Sequence, residues 1–221
     1  MSLELRWIFN GRVPDHVKHW FYHNKGHNNK MEKQSYEDVY LYTPEVDYSS
    51  VKLRDKKLDI KWKRSSFKID VKSSKSLNIS GIVEDWIFWE WNERKTAKEI
   101  EEQIVENKEH PWIMILKERS RCSYQYKEDS LLPVLNNDDP DCSIEMTTLN
   151  PSNNKNIAWW SIGIDLFAGK NISKDERKNV KVIAQLLLSD YPETNLVSAH
   201  SYSYPKLFSL NRDHFTERQV I

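Results

Sequence analysis

Lysines, arginines and carboxylates occupy alternate positions of several short segments whose remaining positions are apolar. In a strand, residues two apart lie on one face. The paired stretches Val51-Lys52-Leu53-Arg54 and Leu58-Asp59-Ile60-Lys61-Trp62-Lys63 therefore place Lys52, Arg54, Asp59, Lys61 and Lys63 on one face, and Val51, Leu53, Leu58, Ile60 and Trp62 on the other. The same alternation gives Glu4 and Arg6 near the start of the chain, Lys117, Arg119 and Arg121 after an apolar run, Glu145 between Ile144 and Met146, and Asp165 between Ile164 and Leu166. Cations in such a row suit phosphate oxygens, which accept charge-assisted hydrogen bonds from Lys and Arg. A few convergent carboxylates suit a hard divalent ion such as Mg²⁺ or Mn²⁺. Together they describe a site for a polyphosphate and its metal. The same pattern also describes the solvated face of an ordinary antiparallel sheet, and only a lumen behind the charges separates the two.

The elements that must carry these residues are mostly strands. Strands are expected over 3–9, 38–42, 51–54, 58–64, 67–72, 82–91, 112–121, 143–149 and 158–167. The pieces 51–54 and 58–64 form a hairpin across Asp55-Lys56-Lys57. Helices are expected from Pro14 to about Asn24, over 96–105, and over 174–189, where Ser173 stands as N-cap with Glu176 at the capping-box position. Loops fill 26–33, 128–140 and 150–156, and specificity is expected from the loops 25–36 and 128–140. No βαβ rhythm is present, so the fold class is α+β: an eight-stranded (or nine-stranded) antiparallel β-barrel tunnel. A polar interior with apolar outer faces needs about three helices outside to cover them. Residues 1–210 form a single domain and 211–221 a polar tail.

Composition agrees with a folded protein whose interior is unusually polar. Hydrophobic residues make up 38% of the chain and charged residues 30%, and nine Trp and ten Tyr are too many for a disordered chain. Lys+Arg and Asp+Glu balance at 33 each, which argues against a nucleic-acid coat or a membrane-surface protein. No stretch is long and apolar enough to span a bilayer, and the first residues read as a strand rather than a targeting segment. Cys122 and Cys142 have no metal-like spacing and are expected as free thiols in a reducing, cytoplasmic setting.

In order along the chain, these motifs resemble those of the CYTH superfamily, the triphosphate tunnel metalloenzymes. Ser2-Leu3-Glu4-Leu5-Arg6 resembles the family's opening Glu-x-Glu-x-Lys strand, and Lys52 to Lys61 its basic hairpin. Lys117-Glu118-Arg119 resembles a later Lys-x-Arg strand, Glu145 and Asp165 the late inward carboxylates, and Ser203-Tyr204-Pro205-Lys206-Leu207 a closing Ser-Tyr-x-x-Leu signature. The resemblance implies a triphosphate held by Arg6, Lys52, Arg54, Lys61, Lys63, Lys117, Arg119 and Arg121, with Lys63 and Arg121 towards the mouth. It implies Mg²⁺ or Mn²⁺ on Glu4, Glu145 and Asp165, which then also serve as the catalytic carboxylates of a metal-dependent hydrolase. Inorganic triphosphate, thiamine triphosphate and nucleotides are the candidate substrates. The opening motif departs from the family at Ser2 and Arg6, and Gly163 stands where a second late carboxylate is expected. Arg6 cannot serve as a base. A non-catalytic nucleotide- or polyphosphate-binding protein on the same fold is thus the alternative, and a protein-interaction module using an aromatic outer face is another.

Two further groupings read as structural. His16, His19 and His23 share helical spacing, with His27 beyond them, and are expected as surface histidines of an outer helix rather than zinc ligands. Trp86, Trp89 and Trp91 could stack bases but are expected to pack against the barrel wall, and one of Trp159-Trp160 is expected at the tunnel mouth.

Overall fold

The structure is a computed structural model that describes residues 2–26, 31–43, 45–55, 57–72, 78–91, 98–99, 102, 112–135, 139–152, 157–167, 176–212 and 214. Nine strands are described: β1 (Ser2–Asn10), β2 (Met31–Leu41), β3 (Ser49–Arg54), β4 (Lys57–Lys72), β5 (Asn78–Trp91), β6 (Trp112–Lys127), β7 (Ser130–Val134), β8 (Cys142–Pro151) and β9 (Trp159–Phe167). They form one antiparallel sheet in the order β2-β3-β4-β5-β1-β9-β8-β6-β7, and β2 also pairs with β6. That last pairing closes eight strands into a barrel and leaves β7 outside it, on the free flank of β6. The expected α+β barrel is the observed one.

The barrel is apolar outside and polar inside. Outward residues of β1, β8 and β9 (Leu3, Leu5, Trp7, Ile144, Met146, Ile162, Ile164) are buried against α1 (Asp15–Trp20) and α2 (Glu176–Leu188). The helices contribute Val17 and Trp20, then Val180, Ile183, Ala184, Leu187 and Leu188. Each such aliphatic side chain contributes about 1.5–3 kcal/mol on burial, and this outer layer is what lets the inner faces stay charged. After α1 the chain continues as one π-helical segment, Phe21–Lys25, matching the helix expected from Pro14 to about Asn24.

Several expectations are corrected. β2 is eleven residues long and takes in the last three residues of the expected loop 26–33. The stretches 58–64 and 67–72 are one strand, β4, interrupted by a bulge between Lys63 and Ser65. One extra residue there switches which parity faces the core. Asp59 and Lys61 line the lumen before it, whereas Ile69 and Val71 pack outward after it. Part of the expected loop 128–140 is β7. The Ser-Tyr-x-x-Leu signature begins a helix, α3 (Tyr204–Leu210), with Ser203 as its N-cap residue and Pro205 in the first turn. The helix expected over 96–105 lies mostly outside the described residues, with only 98, 99 and 102 assigned as helical, and Ser173 and most of 211–221 lie outside them too.

Candidate functional site

Strand register lines the charges up in rows. Arg6 on β1 faces Gly163 on β9, Gly163 faces Glu145 on β8, and Glu145 faces Arg121 on β6. In the neighbouring row Glu4 pairs with Asp165 on one side and Glu84 on the other. Lys52 and Asp59 oppose each other across the β3–β4 hairpin. These side chains line a cavity of about 820 Å³, counted to its open mouth.

The first cluster centres on Arg6. Its Nη2 lies 2.9 Å from Glu145 Oε1, 3.7 Å from Asp165 Oδ1 and 3.9 Å from Glu4 Oε2. The Tyr204 ring lies 4.4 Å from the same guanidinium. Arg121 Nη2 reaches both Glu145 (3.3 Å) and Asp165 (3.4 Å), Arg119 stands 3.7 Å from Glu145, and Lys61 donates to Glu4 at 2.5 Å. Gly163 makes this packing possible: a Cβ there would come within 3.1 Å of Glu145 Cγ and 3.4 Å of Arg6 Nε. The glycine that replaces an expected carboxylate thus gives Arg6 and Glu145 room to meet.

The second cluster centres on Asp38, which is fully buried. Arg54 grips it with two hydrogen bonds, Nε to Oδ1 at 2.5 Å and Nη2 to Oδ2 at 2.7 Å, and Lys117 Nζ lies 2.9 Å from Oδ2. Lys117 also donates to Tyr40, and Lys52 pairs with Asp59 at 3.0 Å. Arg119 donates to Gln34 and Tyr36.

Ionisation follows from these contacts. Burial pushes the Glu145 carboxyl up, but Arg6, Arg121 and Arg119 outweigh it and hold the group well below the usual carboxylate range. Burial likewise works against Glu4, which Lys61 and Arg6 keep ionised. Asp165 has the opposite fate: burial, then the Glu145 and Glu4 charges, raise it to about 6. Burial lowers Lys117 to about 7. Asp38, despite its own burial, is held far below its ordinary value by Lys117 and Arg54. Arg54 already neutralises Asp38 through two bonds, so Lys117 is the surplus cation of that cluster.

Neither a family model nor a curated protein matches this chain. Two solved structures of the mimivirus mRNA capping enzyme RNA triphosphatase domain are similar at 13% identity, with TM-scores of 0.39 and 0.40. In each case the match covers 84% of this chain and 89% of that chain. A likeness of that size transfers no residue role, and the roles of these side chains rest on the geometry of the lumen.

Glu4, Glu145 and Asp165 converge on one point of the lumen, but as a donor set they do not fit a hard divalent ion. Such an ion needs oxygens at about 2.0–2.6 Å with open directions for water. Here each carboxylate is engaged by a guanidinium or ammonium group, and the Arg6 nitrogen occupies the position between all three. Among the described residues no three His, Cys, Asp or Glu side chains are grouped to hold a metal. That covers His16, His19 and His23 as well: His16 pairs with Glu193, and the His19 and His23 rings lie 4.1 Å apart.

Of the expected phosphate ligands, Arg6, Lys52, Arg54, Lys61, Lys117, Arg119 and Arg121 all line the cavity. Lys63 does not, and instead bridges Glu84 (3.1 Å) and Asp47 (3.7 Å). Trp86 is buried inside, 5.7 Å from Lys63, whereas Trp89 and Trp91 lie about half exposed. Trp159 and Trp160 are both buried, on opposite faces of β9. Cys122 and Cys142 are buried free thiols, as expected. No helix among the described residues is long and apolar enough to cross a membrane. Sequence reasoning missed Asp38, Tyr36 and Tyr40. Their parity on β2 marks them as inward, but the opposite face carries Lys33, Ser35 and Glu37 and turns apolar only at Val39 and Leu41.

Proposed function

We propose that the lumen receives the triphosphate group of a small molecule. The observation that carries this reading is the cationic lining of one cavity, on which Arg6, Lys52, Arg54, Lys61, Lys117, Arg119 and Arg121 converge. Phosphate oxygens match Arg donors in charge and geometry. The lining cations outnumber the lining carboxylates by seven to five, and Asp38 behind Arg54 and Lys117 reduces that surplus to a net positive charge of one.

Hydrolysis is the second reading, and Asp165 favours it. A carboxyl with a pKa of about 6 can take up a proton from water near neutral pH. Arg6, Arg119 and Arg121 would then spread the charge of the transferred phosphoryl group.

Both readings are tested together by heating the protein with inorganic triphosphate, thiamine triphosphate and ATP while following phosphate release. A ligand at a hundred times its Kd stabilises the folded state by about 2.7 kcal/mol, which for a chain of this size raises Tm by roughly 5–11 °C. Stabilisation without phosphate release identifies a binder, and stabilisation with release that Asp165→Asn abolishes identifies a hydrolase. No stabilisation by any of the three would refute the triphosphate reading.

A further inference from the structure

Among the described residues, Arg6 alone has a terminal nitrogen within 4 Å of Glu4, Glu145 and Asp165 together. The strand frame holds it there: Arg6 is nine-tenths buried, faces a glycine across β9, and rests against the Tyr204 ring. A guanidinium stays protonated at every accessible pH. It is therefore a resident cation, fixed at the point where three carboxylates would otherwise converge on a metal.

We propose that Arg6 takes the place of a divalent ion in this lumen, and that the triphosphate group binds free of metal. The inference rests on the triphosphate reading above and adds the ionic form of the ligand. Arg6 serves two sides at once. Its Nη2 neutralises the carboxylates, while the guanidinium as a whole forms part of the cavity lining that a phosphate oxygen would meet. Lys61, Arg119 and Arg121 complete the balance, so four cations face three carboxylates in this cluster. A metal–triphosphate complex would bring a second cation against Arg6, with its carboxylate partners already engaged.

The test is calorimetric titration of the full chain with inorganic triphosphate, in EDTA and in Mg²⁺ or Mn²⁺. It is paired with electron paramagnetic resonance of Mn²⁺ added to the protein alone. The expected result is an affinity in EDTA that equals or exceeds that in metal, and no uptake of Mn²⁺ by the wild-type protein. Arg6→Gln removes the resident charge and leaves the carboxylates facing one another. It should lose roughly tenfold or more in triphosphate affinity in EDTA, as the loss of a charged hydrogen bond dictates, and should gain Mn²⁺ uptake. Weaker binding in EDTA than in metal, or Mn²⁺ uptake by the wild type, would overturn the assignment to Arg6 while leaving the triphosphate reading intact. Absence of binding under every condition would overturn both. The wild-type comparison decides even if Arg6→Gln does not fold, which circular dichroism would show.

Discussion

Lys117 and Asp165 are the two groups whose ionisation the lumen brings near neutrality, and they make opposite contributions to the pH dependence of folding. The folded-state value of Lys117, about 7, lies below the ordinary 10.5. Between those values the unfolded chain binds more protons, so this contribution to stability grows as pH rises through the window and is lost as pH falls through 7. For Asp165, raised from 3.8 to about 6, the stabilising contribution is present at acid pH and is lost as pH rises through 6. Lys117→Met should therefore flatten the rise in stability between pH 7 and pH 10, read as urea midpoints across a pH series. Bound phosphate favours the charged lysine, so wild-type triphosphate affinity should fall above pH 7, by at most about tenfold per pH unit for one linked proton. The same titration with Lys117→Met corrects for ionisation of the ligand itself. A pH profile shared by both proteins would remove Lys117 from the site. Asp38 is a more severe case: Asp38→Asn strips a buried carboxylate from Arg54 and Lys117. Breaking a buried pair in this way costs about 3–5 kcal/mol, measurable in the same denaturation assay.

At the scale of elements, what was legible in the sequence depended on whether a strand had an apolar side. β1, β8 and β9 alternate charge or small polar groups with Leu, Ile and Met, because their outer faces lie under α1 and α2, and their inward residues could be named from parity alone. β2 has no such contrast. Its outward Lys33, Ser35 and Glu37 are exposed while Gln34, Tyr36 and Asp38 face the lumen, so both sides are polar and most of the strand reads as loop. β7 escaped for a different reason. It lies on the outer flank of β6, and an edge strand tolerates Pro133, a residue that argues against a central strand. The break in parity on β4 was visible as two alternating stretches, yet only the pairing with β5 shows that a bulge joins them. Nothing in the pattern foretold that Arg6 would lie among the carboxylates; that depends on three strands, β1, β9 and β8, meeting at Gly163. The division of labour between faces makes a prediction about α2. Leu187 is buried on the outside of the barrel, so Leu187→Ala should cost about 2–5 kcal/mol in urea denaturation. The triphosphate affinity of the protein that remains folded should be unchanged. A parallel loss of affinity would mean that the outer layer tunes the lumen rather than merely supporting it.

Over the whole molecule the charge sums to zero, yet its distribution is uneven, with a surplus of cations in the lumen. The lumen is also asymmetric along its axis. Beyond the charged rows the inward positions turn apolar in step: Ile8 on β1, Tyr40 on β2, Ile113 and Ile115 on β6, Leu149 on β8 and Trp159 on β9. α3 adds Leu207 and Phe208 to this cluster, the Phe208 ring lying 5.1 Å from that of Tyr40. Tyr204, at the start of the same helix, reaches the Arg6 guanidinium and lies 4.0 Å from Lys117. The helix thus stops one end of the barrel and lends a ring to the charged chamber. On the triphosphate reading proposed above, a linear polyanion would enter end first and would not thread through. Long inorganic polyphosphate should bind no more than one protein per chain end, and the protein mass bound per polyphosphate chain, measured by light scattering, should stay constant as the chain is lengthened. A mass that climbed with chain length at high salt, where weak attraction to the outer surface is screened, would mean that the chain passes through the barrel. The apolar cluster around α3 would then have to part to let it pass.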